Sequence, residues 1–355
     1  MNLTFTVFRL KQTDKKVDNM KKLKILLIFL ATPYFNFAQD FNVGERTINY
    51  LDSSRNRQIK AEIWYPTSEI DSLHQRSTEL PFQLSPTIRN AKLIEKSFPL
   101  IVISHGTGGN RFSLAWLAIE LAKSGYIVVA PDHWGNTYDN KIPEYFVRYW
   151  DRPKDISFLL TTILADESIN SSIGKARIGM MGFSFGGYTT LAVAGAEVDC
   201  ELIKEKAKTK EGKKEFTIPE LGDLSELIYE TNCDEIPTSF KDDRFKVFIA
   251  MAPALGLGMP DESQSVSEPV LIIGANNDRV TPVKTNALKY HRLIPKSKYS
   301  LLEGRTGHYI FLNEGNNELK KQAKKYYRDH KSINRQLIHA QVTNEVLLFL
   351  KENLR

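Results

Sequence analysis

The stretch Arg177-Ile178-Gly179-Met180-Met181-Gly182-Phe183-Ser184-Phe185-Gly186-Gly187-Tyr188-Thr189-Thr190-Leu191 decides how this chain is read. Ile178 to Met181 is a short apolar run bounded by turn residues, the mark of a buried strand. Small residues follow, Gly187, Thr189, Thr190, Ala192 and Ala194, and suit a helix lying close to a sheet. Between strand and helix, Gly182-Phe183-Ser184-Phe185-Gly186 fits G-x-S-x-G. A serine on so sharp a turn has strained backbone angles, and side chains at the flanking glycine positions would collide with it. The turn lifts the Ser184 hydroxyl above the sheet edge. It also aims N–H groups at the helix start toward whatever that hydroxyl attacks. A glycine-rich connection with an incidental serine would share the spacing, but the flanking strand and small-residue helix favour a nucleophile.

Outward from this stretch, strand and helix patterns alternate. Pro99 to Ser104 is a continuous apolar strand of the kind buried on both faces, and it ends in His105-Gly106-Thr107-Gly108-Gly109. Phe112 to Lys123 reads as an amphipathic helix with Leu114, Leu117, Ala118 and Leu121 on one stripe, stopped by Gly125. Tyr126 to Ala130 is the next strand, closed by Pro131-Asp132-His133-Trp134-Gly135. Asp151 reads as the cap of a helix to about Leu164, with Pro153 in its first turn. After the nucleophile helix, residues 199–244 are rich in Lys and Glu with little apolar periodicity, and are expected to form an inserted flap. Strands resume at Lys246–Ala252 and Val270–Ala275, separated by a second small insertion over 253–268. A helix over 283–293, a strand over 299–302, a polar helix over 319–328 and a packing helix over 341–350 complete the chain. Upstream, Thr47 to Tyr65 alternates as antiparallel strands do, and residues 66–98 read as surface loop with a short helix. This order predicts an α/β fold: a mostly parallel central sheet, helices on both faces, and the flap inserted.

These elements bring chemistry to one edge. A serine hydroxyl is a poor nucleophile unless a base removes its proton, and histidine does so near neutral pH. A carboxylate must then orient the imidazole and stabilise its charged form. The chain offers Ser184, Asp278 and His308 in that order, each just past a parallel strand, at the carboxyl edge where open parallel sheets bind ligands. Asp278 also suits a turn aspartate and His308 a surface loop histidine, but their placement favours the catalytic roles. The backbone N–H groups of Thr107 and Phe185 are the expected oxyanion donors. His105 is read as a backbone-positioning residue of the glycine loop, while His133 and Trp134 are expected to line the substrate pocket with the flap.

Composition narrows the partners. The 355 residues are 42% hydrophobic and 25% charged, a globular balance. The formal charge is +6, but residues 1–38 hold seven of the 48 basic and two of the 42 acidic residues. The remainder carries 41 against 40, a net of +1, which gives no argument for a nucleic-acid partner. Met20-Lys21-Lys22-Leu23-Lys24, the apolar run Ile25 to Ala31, and Phe37-Ala38 read as a secretory signal with cleavage after Ala38. The run is too short for a stable membrane anchor. The predicted organisation is thus an extension and signal over 1–38 and one domain over 39–355, exported to the periplasm or outside the cell. The two cysteines are Cys200, which opens the flap, and Cys233, toward its far end; they are a disulfide candidate in an oxidising compartment. No metal-binding cluster or cofactor loop is evident; His105-Gly106-Thr107-Gly108-Gly109 lacks the lysine of a phosphate-cradling loop.

The chain resembles the α/β-hydrolases, and within them the dienelactone hydrolase group related to platelet-activating-factor acetylhydrolases. The matching pieces are His105-Gly106-Thr107-Gly108-Gly109-Asn110, Tyr126 to His133, Arg152-Pro153-Lys154-Asp155-Ile156, Gly182 to Tyr188, Asp278-Arg279-Val280-Thr281-Pro282 and Gly307-His308. They spread over roughly residues 45–350. One departure is informative: the acetylhydrolase relatives carry the triad aspartate at the place of Ala252-Pro253, where this chain has no carboxylate. Asp278, after the following strand, takes that place, as in most α/β-hydrolases. The dienelactone hydrolases with a cysteine nucleophile also differ, since Ser184 stands here. The resemblance implies a serine esterase without cofactor, acting on a small-molecule or lipid-like ester. The same triad would also serve a lipase, a polyesterase or a peptidase, and a non-catalytic binding protein on the same scaffold is the alternative of another class.

Overall fold

The central sheet is built from strands whose successive residues serve opposite layers, and this fixes both the fold and the edge where the site lies. A computed structural model describes residues 41–70 and 80–355. The expected signal segment lies outside the described residues. The first strands are β1 (Asn42–Asp52), β2 (Arg57–Thr67), the two-residue β3 (Ile88–Arg89) and β4 (Phe98–Ser104). Helix α1 (Ala115–Lys123) leads to β5 (Ile127–Pro131). The short α2 (Pro143–Val147) and the long α3 (Asp151–Ala165) precede β6 (Ile173–Phe183) and α4 (Phe185–Val193). The flap holds α5 (Cys200–Ala207), α6 (Lys210–Glu215), the small hairpin β7 (Thr217–Ile218) and β8 (Gly222–Asp223), and α7 (Ser225–Tyr229). Then come β9 (Val247–Met251), β10 (Val270–Ala275), α8 (Ala287–Leu293) and β11 (Ser297–Leu302). Helices α9 (Asn317–Gln322), α10 (Lys324–Tyr327) and α11 (Arg335–Asn353) follow.

The strands lie in the order β11-β10-β9-β6-β4-β5-β2-β1-β3. From β11 to β5 every pairing is parallel, while β2 runs antiparallel to β5 and β1 antiparallel to β2. Ile101 and Ile103 of β4 face one layer with α1 and α11; Leu100 and Val102 face the other with α3 and α8. Both faces of the parallel strands are therefore buried, which is why those strands read as unbroken apolar runs. At about 25 cal/mol per Å² of apolar surface removed from water, these two layers are the main source of stability.

Several local expectations change. Asp151 is the first residue of α3, not its cap; Trp150 takes the cap position without a side-chain bond. The Asp151 carboxylate instead pairs with Arg148 at 2.8 Å and faces Arg57. No helix is found over 80–98 among the described residues. The polar helix over 319–328 is broken at Ala323 into α9 and α10, and the C-terminal helix starts at Arg335, capped by the Asn334 side chain. The flap is more ordered than its composition suggests. Ile203, Ala207, Phe216, Leu224 and Ile228 form a small core of their own against Phe185, Tyr188 and Tyr149. Cys200 and Cys233 are joined by a disulfide that ties α5 to the far end of the flap. No helix of the described residues is long and apolar enough to cross a membrane.

Candidate active site

The turn between β6 and α4 is forced by crowding. Ser184 has φ +57° and ψ −117°, a conformation that non-glycine residues rarely hold. Its N–H donates to the Met251 carbonyl at 2.9 Å, and its own carbonyl accepts from the Ala254 N–H at 3.0 Å. The neighbouring strand end thus clamps the serine from both sides. A Cβ on Gly186 would strike the Ser104 carbonyl, and one on Gly182 would strike the Gly186 backbone. Those contacts account for both glycines of the motif.

Three side chains converge on this turn. The Ser184 hydroxyl lies 3.0 Å from His308 Nε2, and His308 Nδ1 lies 2.7 Å from Asp278 Oδ2. All three are nearly buried, at 7%, 4% and 7% exposure for Ser184, His308 and Asp278. Asp278 follows β10, and His308 opens a short 3-10 turn after β11, so parallel packing of neighbouring strands delivers both to one edge. The Asp278 carboxylate is itself fixed. Its Oδ1 accepts from the backbone N–H of Val280 and Thr281, both at 2.8 Å. The buried Thr281 hydroxyl sits 3.0 Å from Oδ2 and 3.2 Å from His308 Nδ1. Sequence reasoning passed over Thr281. Its signal was present, since an aspartate that bonds N–H groups two and three residues on makes an Asp-x-x-Thr turn.

The loop that carries His308 is held by α1 and α11, on the same face of the sheet. Trp116 donates its indole N–H to the Phe311 carbonyl at 2.8 Å, and Arg335 donates to the Asn313 carbonyl at 2.9 Å. His339 stacks on Trp116 with ring centroids 3.7 Å apart and donates through Nε2 to the Ile310 carbonyl at 2.8 Å. Burial lowers the His339 pKa to about 4, so it stays neutral in this role.

The glycine loop after β4 lies beside Ser184. Gly106 and Gly109 close a tight turn, with the Gly109 N–H donating to the Gly106 carbonyl at 3.1 Å and Gly108 at φ +62°. The Asn136 side chain accepts from the Gly108 N–H at 2.8 Å. Thr107 stands exposed at the tip of this turn, and Phe185 is buried as the first residue of α4. His105 is buried under the loop, as its expected backbone-positioning place requires. Its Nδ1 donates to the Gly106 carbonyl at 2.7 Å, and its Nε2 accepts from the His133 N–H at 3.2 Å.

His133 does not line an open pocket. It is fully buried beneath the loop, with Nδ1 donating to Asp155 at 3.0 Å and Nε2 facing the Ser104 hydroxyl at 2.9 Å. The reason is its partner: Asp155, also fully buried, needs donors, and His133, Arg57 and Arg55 supply them. Burial works against the Asp155 carboxylate, but the bonds from His133 and Arg57 outweigh it and hold its pKa well below the usual range. Burial, with the Arg152 charge adding, lowers His133 to about 4 in spite of Asp155. Trp134 is half-buried in the turn that follows.

Comparison with known proteins places the fold among ester hydrolases of known structure. The family model for platelet-activating factor acetylhydrolase, isoform II, matches residues 50–140. A ferulic acid esterase from Streptomyces cinnamoneus superposes with a TM-score of 0.59, covering 90% of this chain and 92% of its own at 20% identity. This chain has the α/β-hydrolase fold. Among curated proteins, the chain is 24% identical to cutinase est1 of Thermobifida alba over 57% of this chain and 49% of the relative. It is likewise 24% identical to cutinase 2 of Thermobifida cellulosilytica over 59% of this chain and 60% of the relative. It thus spans about half to three fifths of the length of these relatives.

Proposed function

We infer that this chain is an exported serine esterase that cleaves carboxylic esters through Ser184, His308 and Asp278. The observation that carries the reading is the unbroken chain from the Ser184 hydroxyl through the His308 ring to a carboxylate that two N–H groups already hold. Ser184 Oγ attacks the ester carbonyl carbon as its proton passes to His308 Nε2. The new oxyanion is received by the N–H groups of Thr107 and Phe185. The carbon–oxygen bond to the alcohol then breaks, and Nε2 returns the proton to the departing alkoxide. Water, deprotonated by the same nitrogen, attacks the acyl-enzyme; the acid leaves and Ser184 recovers its proton. Asp278 orients the imidazole and balances its charge at each protonated stage.

The relatives named cutinase and ferulic acid esterase support an ester over a peptide bond as the substrate. The disulfide across the flap supports export, since such bonds persist in oxidising compartments. We place the domain boundary after Ala38 and the exported domain over 39–355. A series of p-nitrophenyl esters against peptide anilides tests the reading. Esters turn over, anilides do not, and Ser184→Ala lowers kcat by at least about a thousandfold. Anilide cleavage exceeding ester cleavage assigns the triad to a peptidase instead.

A further inference from the structure

We propose that Arg152 positions and polarises the Thr107 oxyanion donor from a buried guanidinium that also packs on the ring of Phe185, the residue of the other donor; the proposal rests on the esterase reading above. Arg152 is 1% exposed in the first turn of α3, and its charge lies under the glycine loop. One terminal nitrogen donates to the His105 carbonyl and the other to the Gly106 carbonyl at 3.2 Å. Its Cζ stands 4.5 Å from the centre of the Phe185 ring. The side chain thus touches the loop that carries one proposed donor and the residue that carries the other.

The key contact is to Gly106. Its carbonyl oxygen and the Thr107 N–H are opposite ends of one planar peptide group, so fixing the first fixes the second. That oxygen accepts from Arg152, from His105 Nδ1 at 2.7 Å and from the Gly109 N–H at 3.1 Å. Three donors on one carbonyl hold the peptide plane and draw electron density away from the N–H, which strengthens it as a donor. The charge itself adds to this. Among the described residues no carboxylate makes an ion-pair contact with Arg152, because Asp155 is taken up by Arg57, Arg55 and His133. Asp155 acts on the guanidinium only from beyond ion-pair contact, so part of the guanidinium's field remains for the place where negative charge forms. Burial lowers its pKa to about 9 against the opposing pull of the Asp155 carboxylate, with Arg57 adding to the lowering, so it remains a cation at neutral pH. Lysine cannot replace it fully: two carbonyls and a ring face need a planar fork.

The test compares Arg152→Met, Arg152→Lys and Thr107→Pro. Thr107 is the second residue of the Gly106–Gly109 turn, where proline suits the backbone, so that variant removes the donor N–H itself. Arg152→Met is expected to lower kcat on a p-nitrophenyl ester by about a hundredfold, the scale of one lost oxyanion donor, with KM changed less than threefold. Affinity for an aryl trifluoromethyl ketone, which Ser184 converts to a tetrahedral alkoxide, falls in parallel. Affinity for the carboxylic acid product does not. Combined with Thr107→Pro, the Arg152→Met loss shrinks to less than tenfold, because Arg152 acts largely through that N–H. Arg152→Lys keeps a cation and loses about tenfold, and it carries the test if the methionine variant does not fold. Unchanged kcat in a folded Arg152 variant, or losses fully multiplicative with Thr107→Pro, overturns the proposal. A wild-type enzyme inert to every ester, or a fully active Ser184→Ala, overturns the esterase reading instead.

Discussion

Replacing Asp278 by Asn probes the triad with almost no change of shape. In the wild type, Asp278 Oδ1 accepts two backbone N–H bonds, both at 2.8 Å. The carboxamide must keep its oxygen there, since an NH2 group facing two donors would lose both bonds. Its NH2 therefore takes the place of Oδ2, 2.7 Å from His308 Nδ1. A donor at that spot requires Nδ1 to accept, which moves the ring proton to Nε2. Nε2 then points an N–H at Ser184 Oγ, 3.0 Å away, and has no lone pair for the serine proton. The enzyme holds the wrong tautomer. The equivalent change in a serine protease triad lowers kcat about 10⁴-fold, or roughly 5.5 kcal/mol of barrier at 1.36 kcal/mol per tenfold. The expected result here is a fall in kcat of about that size on a p-nitrophenyl ester at neutral pH, with little change in KM and a melting temperature within a few degrees. A variant that keeps more than a tenth of wild-type kcat would refute the tautomer argument and, with it, the role of Asp278.

The remaining predictions concern the flap. Breaking the Cys200–Cys233 disulfide, which spans 33 positions, as Cys200→Ser with Cys233→Ser should cost about 4 kcal/mol in the chain-entropy model, read by urea unfolding with and without reductant. An unchanged midpoint would mean that the flap unfolds separately from the sheet. Glu215 on α6 has its carboxyl pushed up to about 7 by burial, and its Oε1 has no hydrogen-bond partner among the described residues. The folded state therefore favours the neutral acid, so this group's contribution is full below about pH 4.5 and is lost as the pH rises through 7. Glu215→Gln should leave stability nearly unchanged at low pH and raise it by up to about 3 kcal/mol at pH 8, measured as the difference between the two unfolding curves. A gain that is the same at both pH values would place Glu215 in water.

Much of this was legible in the sequence, and the exceptions have identifiable physical reasons. Strands buried on both faces, such as β4 and β10, betray themselves as unbroken apolar runs, because neither face tolerates a polar side chain. The serine turn is legible because backbone crowding admits only glycine at 182 and 186. Most features that escaped depend on side-chain partners that the local pattern does not show. Asp151 looks like a cap until Arg148 and Arg57 claim its carboxylate. His133 looks like a pocket residue until Asp155, 22 positions on, draws it under the loop. Arg152 stands in a recognisable motif, but the carbonyls it holds lie 47 and 46 positions away. The flap has no strong periodicity because its short helices bury a few side chains each against α4 instead of a full stripe.

Labelling with a fluorophosphonate tests the centre of the account most directly. Ser184 Oγ should displace fluoride and take up the phosphonyl group, and peptide mass mapping should place the adduct on residues 177–191. The Ser184→Ala protein should not label, and Asp278→Asn should label far more slowly than the wild type. A probe that leaves the folded wild-type protein unmodified, or that labels Ser184→Ala equally well, would contradict a nucleophilic Ser184.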